Sequence, residues 1–264
     1  MICVEVTYRD WWWPLERHAK GVAPTRWWEL TERQFLAIVG AVTGRLDKDG
    51  YLSALTGLPR RLVGYLDDWS RYTLERQLRW VDDEKSEASR LFVGRIEGLE
   101  APADTLAGMP LQQYMTVDTY FAQYTETMGD GHARGDEEKL CMMVGALYLR
   151  RDESYFPTGG ERLADLGGNA AMLRRRADRL LLDAVWLNWV LIRNWLARAY
   201  PLLFPAPDEG DAKQKQQRRR NAWLDAFDAF MGDDVAHMDQ YRRMAATDAF
   251  RLMNKRIQRN LTKK

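Results

Sequence analysis

Residues 180–196, LLLDAVWLNWVLIRNWL, form the longest apolar stretch of the sequence. Four polar residues interrupt it, namely Asp183, Asn188, Arg193 and Asn194. A membrane-spanning helix needs about 20 predominantly apolar residues with few or no charges. The shorter length and the interruptions favour a helix buried in a protein core. The sequence therefore predicts a core helix here and does not predict a membrane as a partner.

The helix around this stretch is predicted to run from about Asn169 to Tyr200, where Pro201 ends it. At 100° per residue, five of its charged and polar residues share an arc of about 140°. They are Arg179, Asp183, Arg193, Asn194 and Arg198. Asn188 lies outside this arc among apolar residues. We predict a buried amide with a hydrogen-bond partner, because a buried unpaired polar group costs about 1–3 kcal/mol.

Most of the remaining chain also has helical patterns. Thr31 and Gln34 form a T-x-x-Q capping box, which predicts a helix continuing to about Leu46 and ending at the turn 47–50. Further helices are predicted at 60–68, 71–81, 111–124, 140–148, 221–231 and 235–261. The last of these is expected to turn an inner face of Tyr241, Ala245, Ala249, Leu252 and Met253 toward the core.

Two short segments have strand-like composition. Residues 2–8, ICVEVTY, predict a strand, and residues 89–101, SRLFVGRIEGLEA, predict a strand or hairpin. The intervening segment 11–28 is expected to be irregular, because it contains two prolines and a glycine. The predicted fold class is mainly α, a helical bundle-like domain with a small β strand or hairpin element.

Three regions are expected along the chain. Residues 1–204 are predicted to form the mostly helical main domain. Residues 205–221 contain the polar stretch PAPDEGDAKQKQQRRR and are predicted to be a flexible linker or loop. Residues 222–264 are predicted to form a C-terminal helical segment packed on the main domain.

The composition is that of a globular protein. The chain has 264 residues, of which 46% are hydrophobic and 29% are charged, and its 39 basic residues nearly cancel its 38 acidic ones. This excludes disordered, collagen-like and disulfide-rich classes. Cys3 and Cys141 are too few for a disulfide framework, so we expect buried thiols in a protein made in a reducing compartment. The N-terminus lacks the pattern of a signal peptide.

The familiar catalytic motifs are missing from the sequence. It contains no P-loop, no dinucleotide-binding G-x-G-x-x-G after a strand, no G-x-S-x-G and no H-E-x-x-H. The three histidines, His18, His132 and His237, are far apart, and none has a second ligand at metal-binding spacing. We therefore predict a protein that is not an enzyme, with no catalytic residues, no metal site and no cofactor.

Tryptophans are clustered near the N-terminus. Five of the eleven in the chain are Trp11, Trp12, Trp13, Trp27 and Trp28. Tryptophan is enriched at interface hot spots, so these residues are candidates for partner binding. They can equally anchor an irregular segment on its own core.

Basic residues are concentrated in two runs. Residues 251–264 hold six basic residues and no acidic one, and residues 213–220 hold five, Lys213, Lys215, Arg218, Arg219 and Arg220. Such runs can contact the phosphates of a nucleic acid, contact an acidic protein partner or remain solvated. No aromatic residue alternates with the basic residues of 213–220, so a stacking platform for single strands is not indicated.

Several short motifs resemble a known group of proteins. The run 28–31, WELT, followed by Gln34 and Phe35, resembles the opening W-x-E-L-T-x-x-Q-F of uncharacterised prophage proteins of Bacteroidetes. The segments 111–114, 118–121 and 140–148 are similar to the middle of those proteins, and 222–252 is similar to their closing helices. The tryptophan cluster and the segment 205–220 depart from that pattern.

The resemblance implies a function in phage tails. Such proteins are encoded among tail genes, often where tail-assembly chaperones are found. It implies a non-enzymatic role in tail assembly or tail structure through protein–protein interaction with phage tail proteins, in the host cytoplasm during assembly or in the virion. It carries over no catalytic residue. The alternative is a nucleic-acid-binding accessory protein that uses the basic C-terminal region.

Overall fold

The computed structural model describes residues 1–9, 15–83, 85–128, 135–204, 227–232 and 237–262. The protein is 59% helical with only small two-stranded sheets, which confirms the predicted fold class. The chain divides into two compact units, Met1–Ala88 and Ser89–Lys264, which we call unit 1 and unit 2. Their boundary lies within the predicted 1–204 region. The predicted linker 205–221 is outside the described residues.

Unit 1 begins with an antiparallel hairpin of β1 (Ile2–Tyr8) and β2 (Arg17–Ala23). β1 was predicted, but the expectation of an irregular segment at 11–28 is wrong for β2. Its inward positions include Gly21, where an added Cβ would come within 2.6 Å of the Thr56 carbonyl oxygen. The close approach favours small residues here, which removes the β-branched signal by which a strand is usually recognised.

Four helices follow in unit 1. They are α1 (Glu32–Val42), α2 (Lys48–Thr56), α3 (Arg60–Val63) and α4 (Asp68–Leu78). The capping box is confirmed, since the Gln34 N–H donates to Thr31 Oγ1 at 3.3 Å and the Thr31 N–H donates to Gln34 Oε1 at 3.0 Å. α1 ends before the predicted Leu46. Asp47 does not end that helix but caps α2, because its carboxylate accepts from the Gly50 N–H at 3.1 Å.

Unit 2 opens with the hairpin of β3 (Arg95–Ile96) and β4 (Leu99–Glu100), as predicted for 89–101. The larger elements that follow are α5 (Leu111–Thr127), α6 (Glu137–Leu147), α7 (Leu166–Arg176) and α8 (Arg179–Ala199). A short parallel pair, β5 (Glu153–Ser154) with β6 (Arg162–Leu163), lies between α6 and α7 in sequence.

The prediction of one helix over Asn169–Tyr200 is wrong, because α7 and α8 are separate. Ala177 and Asp178 have extended backbones, with ψ values of 139° and 130°. The Asp178 carboxylate accepts from the Leu180 N–H at 2.8 Å and caps the first turn of α8. The apolar periodicity continues across this break, so only the capping chemistry of Asp178 signals it.

α8 is the longest described helix of unit 2. It buries eight residues, Leu182, Ala184, Val185, Asn188, Trp189, Leu191, Ile192 and Leu196. By length and composition alone, α8 is also the one described helix that could cross a membrane. The predicted buried amide is confirmed: Asn188 is 1% exposed, accepts from the Phe92 N–H at 2.7 Å and donates to the Arg90 carbonyl at 2.8 Å.

The chain closes with α9 (Met238–Arg243) and α10 (Ala246–Leu261). The prediction of one helix over 235–261 is wrong, because Met244 and Ala245 are extended. The Leu111 N–H donates to the Met244 carbonyl at 2.8 Å, and the Ala246 N–H donates to the Met109 carbonyl at 2.8 Å. These bonds compensate for the helical hydrogen bonds that are lost at the break.

The break also changes the inner face predicted for the last helix. α10 buries Ala246, Ala249, Phe250 and Met253, whereas Leu252 is 40% exposed. The Phe250 ring packs edge-on against Tyr114 of α5, with centroids 4.8 Å apart. The C-terminal helix therefore packs on α5 within unit 2.

Candidate functional site

The two described tryptophans of the N-terminal cluster have different environments. Trp27 is 7% exposed and packs edge-on against Phe35 and Trp80, so it anchors the core of unit 1. Trp28 is 64% exposed, and the Arg26 guanidinium lies 4.8 Å from the centre of its ring. Trp11, Trp12 and Trp13 are outside the described residues. Of the candidates that the structure describes, only Trp28 faces solvent.

Most of the predicted nucleic-acid contacts cannot be placed. Lys213, Lys215, Arg218, Arg219 and Arg220 all lie outside the described residues. In the second basic run, Arg251 pairs with Asp248 at 3.0 Å, and Arg256 Nη1 donates to the Phe230 carbonyl at 2.6 Å. These two arginines are therefore engaged by the protein itself.

A different pair of aromatic residues in unit 1 is also exposed to solvent. Trp69 is 75% exposed and Tyr72 is 50% exposed, and their ring centroids lie 6.2 Å apart. We call these two residues the α4 aromatic pair. The sequence pattern did not identify them, because the helix it predicted begins at Arg71, two positions after Trp69. The available signal was the spacing W-x-x-Y, which places both rings on one face of a helix.

The local sequence explains why this pair faces solvent. The Asp67 carboxylate accepts from the Ser70 N–H at 2.7 Å, which starts α4 at Asp68 and places Trp69 in the first turn. The same backbone bond lowers the pKa of Asp67. Leu74 and Leu78 form the buried side of the helix. At 100° per residue, Trp69 and Tyr72 project away from these leucines.

A second aromatic contact lies just before α4 in sequence. Tyr65 is 55% exposed, and its ring centroid is 6.1 Å from that of Tyr8 at the end of β1. The stretch 65–72 therefore presents three large, exposed aromatic side chains. Exposed apolar surface can mark a site of protein contact, which makes this stretch a candidate contact surface.

The described residues do not bring together a set of metal ligands. Within those ranges, no group of three or more His, Cys, Asp and Glu residues is placed to hold a metal ion. Asp118, Arg193 and Trp189 form a polar cluster in unit 2, with Asp118 Oδ1 3.3 Å from Arg193 Nε and 3.4 Å from Trp189 Nε1. Asp118 and Trp189 are buried, and the Arg193 side chain is 35% exposed. This cluster joins α5 to α8 and therefore has a structural role.

The two cysteines should react at very different rates. Cys3 is exposed on β1, which corrects the expectation of a buried thiol, and Cys141 is buried in α6. Burial raises the pKa of Cys141 to about 11, and only the thiolate is nucleophilic.

At pH 8 we expect a disulfide reagent to label Cys3 rapidly in the native protein and to label both thiols after denaturation. Cys3→Ser should remove the fast reaction, whereas persistent fast labelling in that variant would contradict the burial of Cys141.

Comparison with known proteins adds no functional assignment. No protein family matches the chain, and no curated protein or solved structure is significantly similar to it. The chain is a mainly α protein whose surface carries the exposed aromatic residues Tyr65, Trp69 and Tyr72.

Proposed function

We propose that this protein is a non-enzymatic component of phage tail assembly that binds a tail protein through the α4 aromatic pair. The observation that carries the binding part is the 75% exposure of Trp69 beside the half-exposed Tyr72. The phage context is supported by the motif resemblance at 28–35, 111–121 and 140–148. The basic C-terminal residues provide the nucleic-acid alternative.

The composition of the surface is what a protein partner requires. Trp, Tyr and Arg are the residues most enriched at binding hot spots, and exposed Arg76 follows Tyr72 by one helical turn. Burying apolar surface contributes about 25 cal/mol per Å², so two aromatic rings provide a substantial driving force for association. The matching partner is an apolar, helix-forming segment, whose side chains can cover the rings and exclude water.

Replacing Trp69 and Tyr72 by alanine should abolish binding without unfolding the protein. The side chains are exposed in the free protein, so their loss removes partner contacts and leaves the Leu74 and Leu78 side of α4 intact. We would use the full chain as bait in cells that produce the phage and identify captured proteins by mass spectrometry. The expected result is a tail protein retained by the parent and lost from the double variant.

Val42→Ala is the matched control for this experiment. Val42 is also in unit 1 and is 72% exposed, so its truncation removes exposed apolar surface away from α4. This variant should retain the partner at the parental level. Equal losses in both variants, or full retention in the double variant, would contradict the assignment to the α4 aromatic pair.

Salt dependence separates the proposed function from nucleic-acid binding. Binding to DNA through basic residues weakens steeply as salt rises, with a slope of about −0.9 in log K against log salt for each neutralised phosphate. Binding through the aromatic pair should vary little with salt and show a negative heat-capacity change. Binding of the tail protein should also be unchanged when five basic residues are replaced by glutamine, namely Lys213, Lys215, Arg218, Arg219 and Arg220. Loss of function in that variant, with partner binding retained, would favour the nucleic-acid alternative.

A further inference from the structure

A cavity of about 490 Å³ in unit 2 is bordered by arginines. Four of them line it, Arg150, Arg162, Arg175 and Arg176. Glu153 and Asn169 also line it and are deeply buried: the Glu153 side chain is 4% exposed, and Asn169 is 1% exposed. We call this site the arginine cleft. Its volume lies within the range of about 300–1,000 Å³ that is usual for small-molecule sites.

Three of the four guanidinium groups are held in position by the protein. Arg162 Nε donates to Asp152 Oδ2 at 2.8 Å, and Arg175 Nε donates to the Ala171 carbonyl at 3.1 Å. Arg150 lies with Nε 3.6 Å from Glu153 Oε1 and Nη2 3.7 Å from Met172 Sδ. Each contact leaves other N–H donors of the same guanidinium for a ligand, because arginine carries five in a fixed planar arrangement.

The lining of the cleft has more arginines than carboxylates. Glu153 is compensated by Arg150 and by Asn169 Nδ2, which donates to Glu153 Oε2 at 2.9 Å, and Asp152 pairs with Arg162. A further lining carboxylate, Asp165, accepts from the Gly168 N–H at 2.9 Å at the start of α7, where the helix dipole favours negative charge.

Two arginines are thus left without a carboxylate partner. Arg175 and Arg176 lie at the end of α7, are exposed, and form no ion pair with any described residue. Their two positive charges match a phosphate monoester, which carries a charge of about −1.5 to −2 at neutral pH. The guanidinium geometry also matches phosphate oxygens in a bidentate arrangement. No aromatic residue lines the cleft, so the structure provides no ring on which a nucleobase could stack.

We propose that the arginine cleft binds a compact phosphorylated small molecule through Arg175 and Arg176, with Arg150 and Arg162 contributing further donors. The residues of this site belong to unit 2 and the α4 aromatic pair belongs to unit 1, so the two proposals rest on different residues. Its occupation therefore does not depend on the proposed function.

Calorimetric titration of the full chain with inorganic pyrophosphate and with glycerol 3-phosphate, at constant ionic strength, tests the proposal. We expect saturable binding of at least one probe to the parent protein and at least tenfold weaker binding to the Arg175→Gln/Arg176→Gln variant. Because both side chains are exposed, this variant should keep the parental circular dichroism spectrum and melting temperature. If neither probe binds to the parent protein, the proposal is overturned.

Arg174→Gln is the matched control. Arg174 lies on the same helical turn but lines a different cavity, beside Cys141 and Met142. The same loss of charge there should leave pyrophosphate binding within about twofold of the parental value. An equal loss in both variants would show general attraction to the end of α7 and overturn the proposal. A short DNA duplex is titrated in the same way. If the duplex binds and neither small probe does, the proposal is also overturned.

Discussion

Replacing Trp189 by alanine should lower the free energy of unfolding by about 3–5 kcal/mol, the range for truncating a buried aromatic residue. Trp189 is fully buried in α8, and its ring centroid is 5.6 Å from that of Tyr114. The substitution removes the contacts of the indole and leaves a cavity that its neighbours fill only in part. Urea unfolding followed by circular dichroism measures the change.

Two variants control this prediction. Trp189→Phe keeps a six-membered aromatic ring and removes the Nε1–H that lies 3.4 Å from Asp118 Oδ1, so it should lose less stability than Trp189→Ala. Trp69→Ala removes the same residue type at a 75% exposed position and should change stability by no more than about 0.5 kcal/mol. Similar losses for Trp69→Ala and Trp189→Ala would contradict the assignment of Trp189 to the core.

The features that could be predicted from sequence are those with strong local causes. The capping box at Thr31 and Gln34 depends on neighbouring residues alone, and it forms as predicted. The burial of Asn188 followed from its position among apolar residues on a helical wheel. Its partners, Arg90 and Phe92, are almost a hundred residues earlier in the chain, so no local pattern could identify them.

Breaks within periodic segments were harder to predict. Both the α7–α8 break and the Met244–Ala245 break lie in stretches where the apolar repeat continues. The first break is stabilised by the Asp178 cap. This cap is a local signal, but the prediction followed the apolar repeat instead. The second is stabilised by backbone bonds to Met109 and Leu111, which are distant in sequence. Tertiary hydrogen bonds of this kind override helix propensity and leave little trace in the local sequence.

The candidate sites were hard to predict because they are defined by which side chains face solvent, and this cannot be read from the amino-acid composition. Trp27 and Trp28 are adjacent in sequence, yet one is buried in the core and the other is 64% exposed. The α4 aromatic pair becomes evident only when Leu74 and Leu78 define the inner side of the helix. The arginine cleft likewise combines residues from β5, β6, α7 and the segment between α6 and β5, and only the fold shows which of its charges are paired and which are not.

Replacing Asn188 by alanine should lower the free energy of unfolding by about 2–4 kcal/mol, because leaving the buried Phe92 N–H unpaired costs about 1–3 kcal/mol and losing the bond to the partly buried Arg90 carbonyl costs about 1 kcal/mol. The Asn188 side chain connects α8 to the segment before the β3–β4 hairpin, through the Phe92 N–H at 2.7 Å and the Arg90 carbonyl at 2.8 Å. Urea unfolding measures the total loss. Hydrogen exchange should show a selective loss of protection at the Phe92 amide. Unchanged stability and unchanged Phe92 protection would contradict this role.

Asn188→Asp tests the donor half of the same connection and gives it a pH dependence. A carboxylate can still accept from the Phe92 N–H, but it cannot donate to the Arg90 carbonyl, and its charge is buried. Burial raises the pKa of such a carboxyl in the folded state above its unfolded value, so the folded protein binds the proton more tightly. Stability of the variant relative to the parent should therefore rise as pH falls from neutral to mildly acidic values, where the protonated group can donate to Arg90. A stability difference that stays constant over this range, while both proteins remain folded, would show that position 188 makes no donor contact with the Arg90 carbonyl.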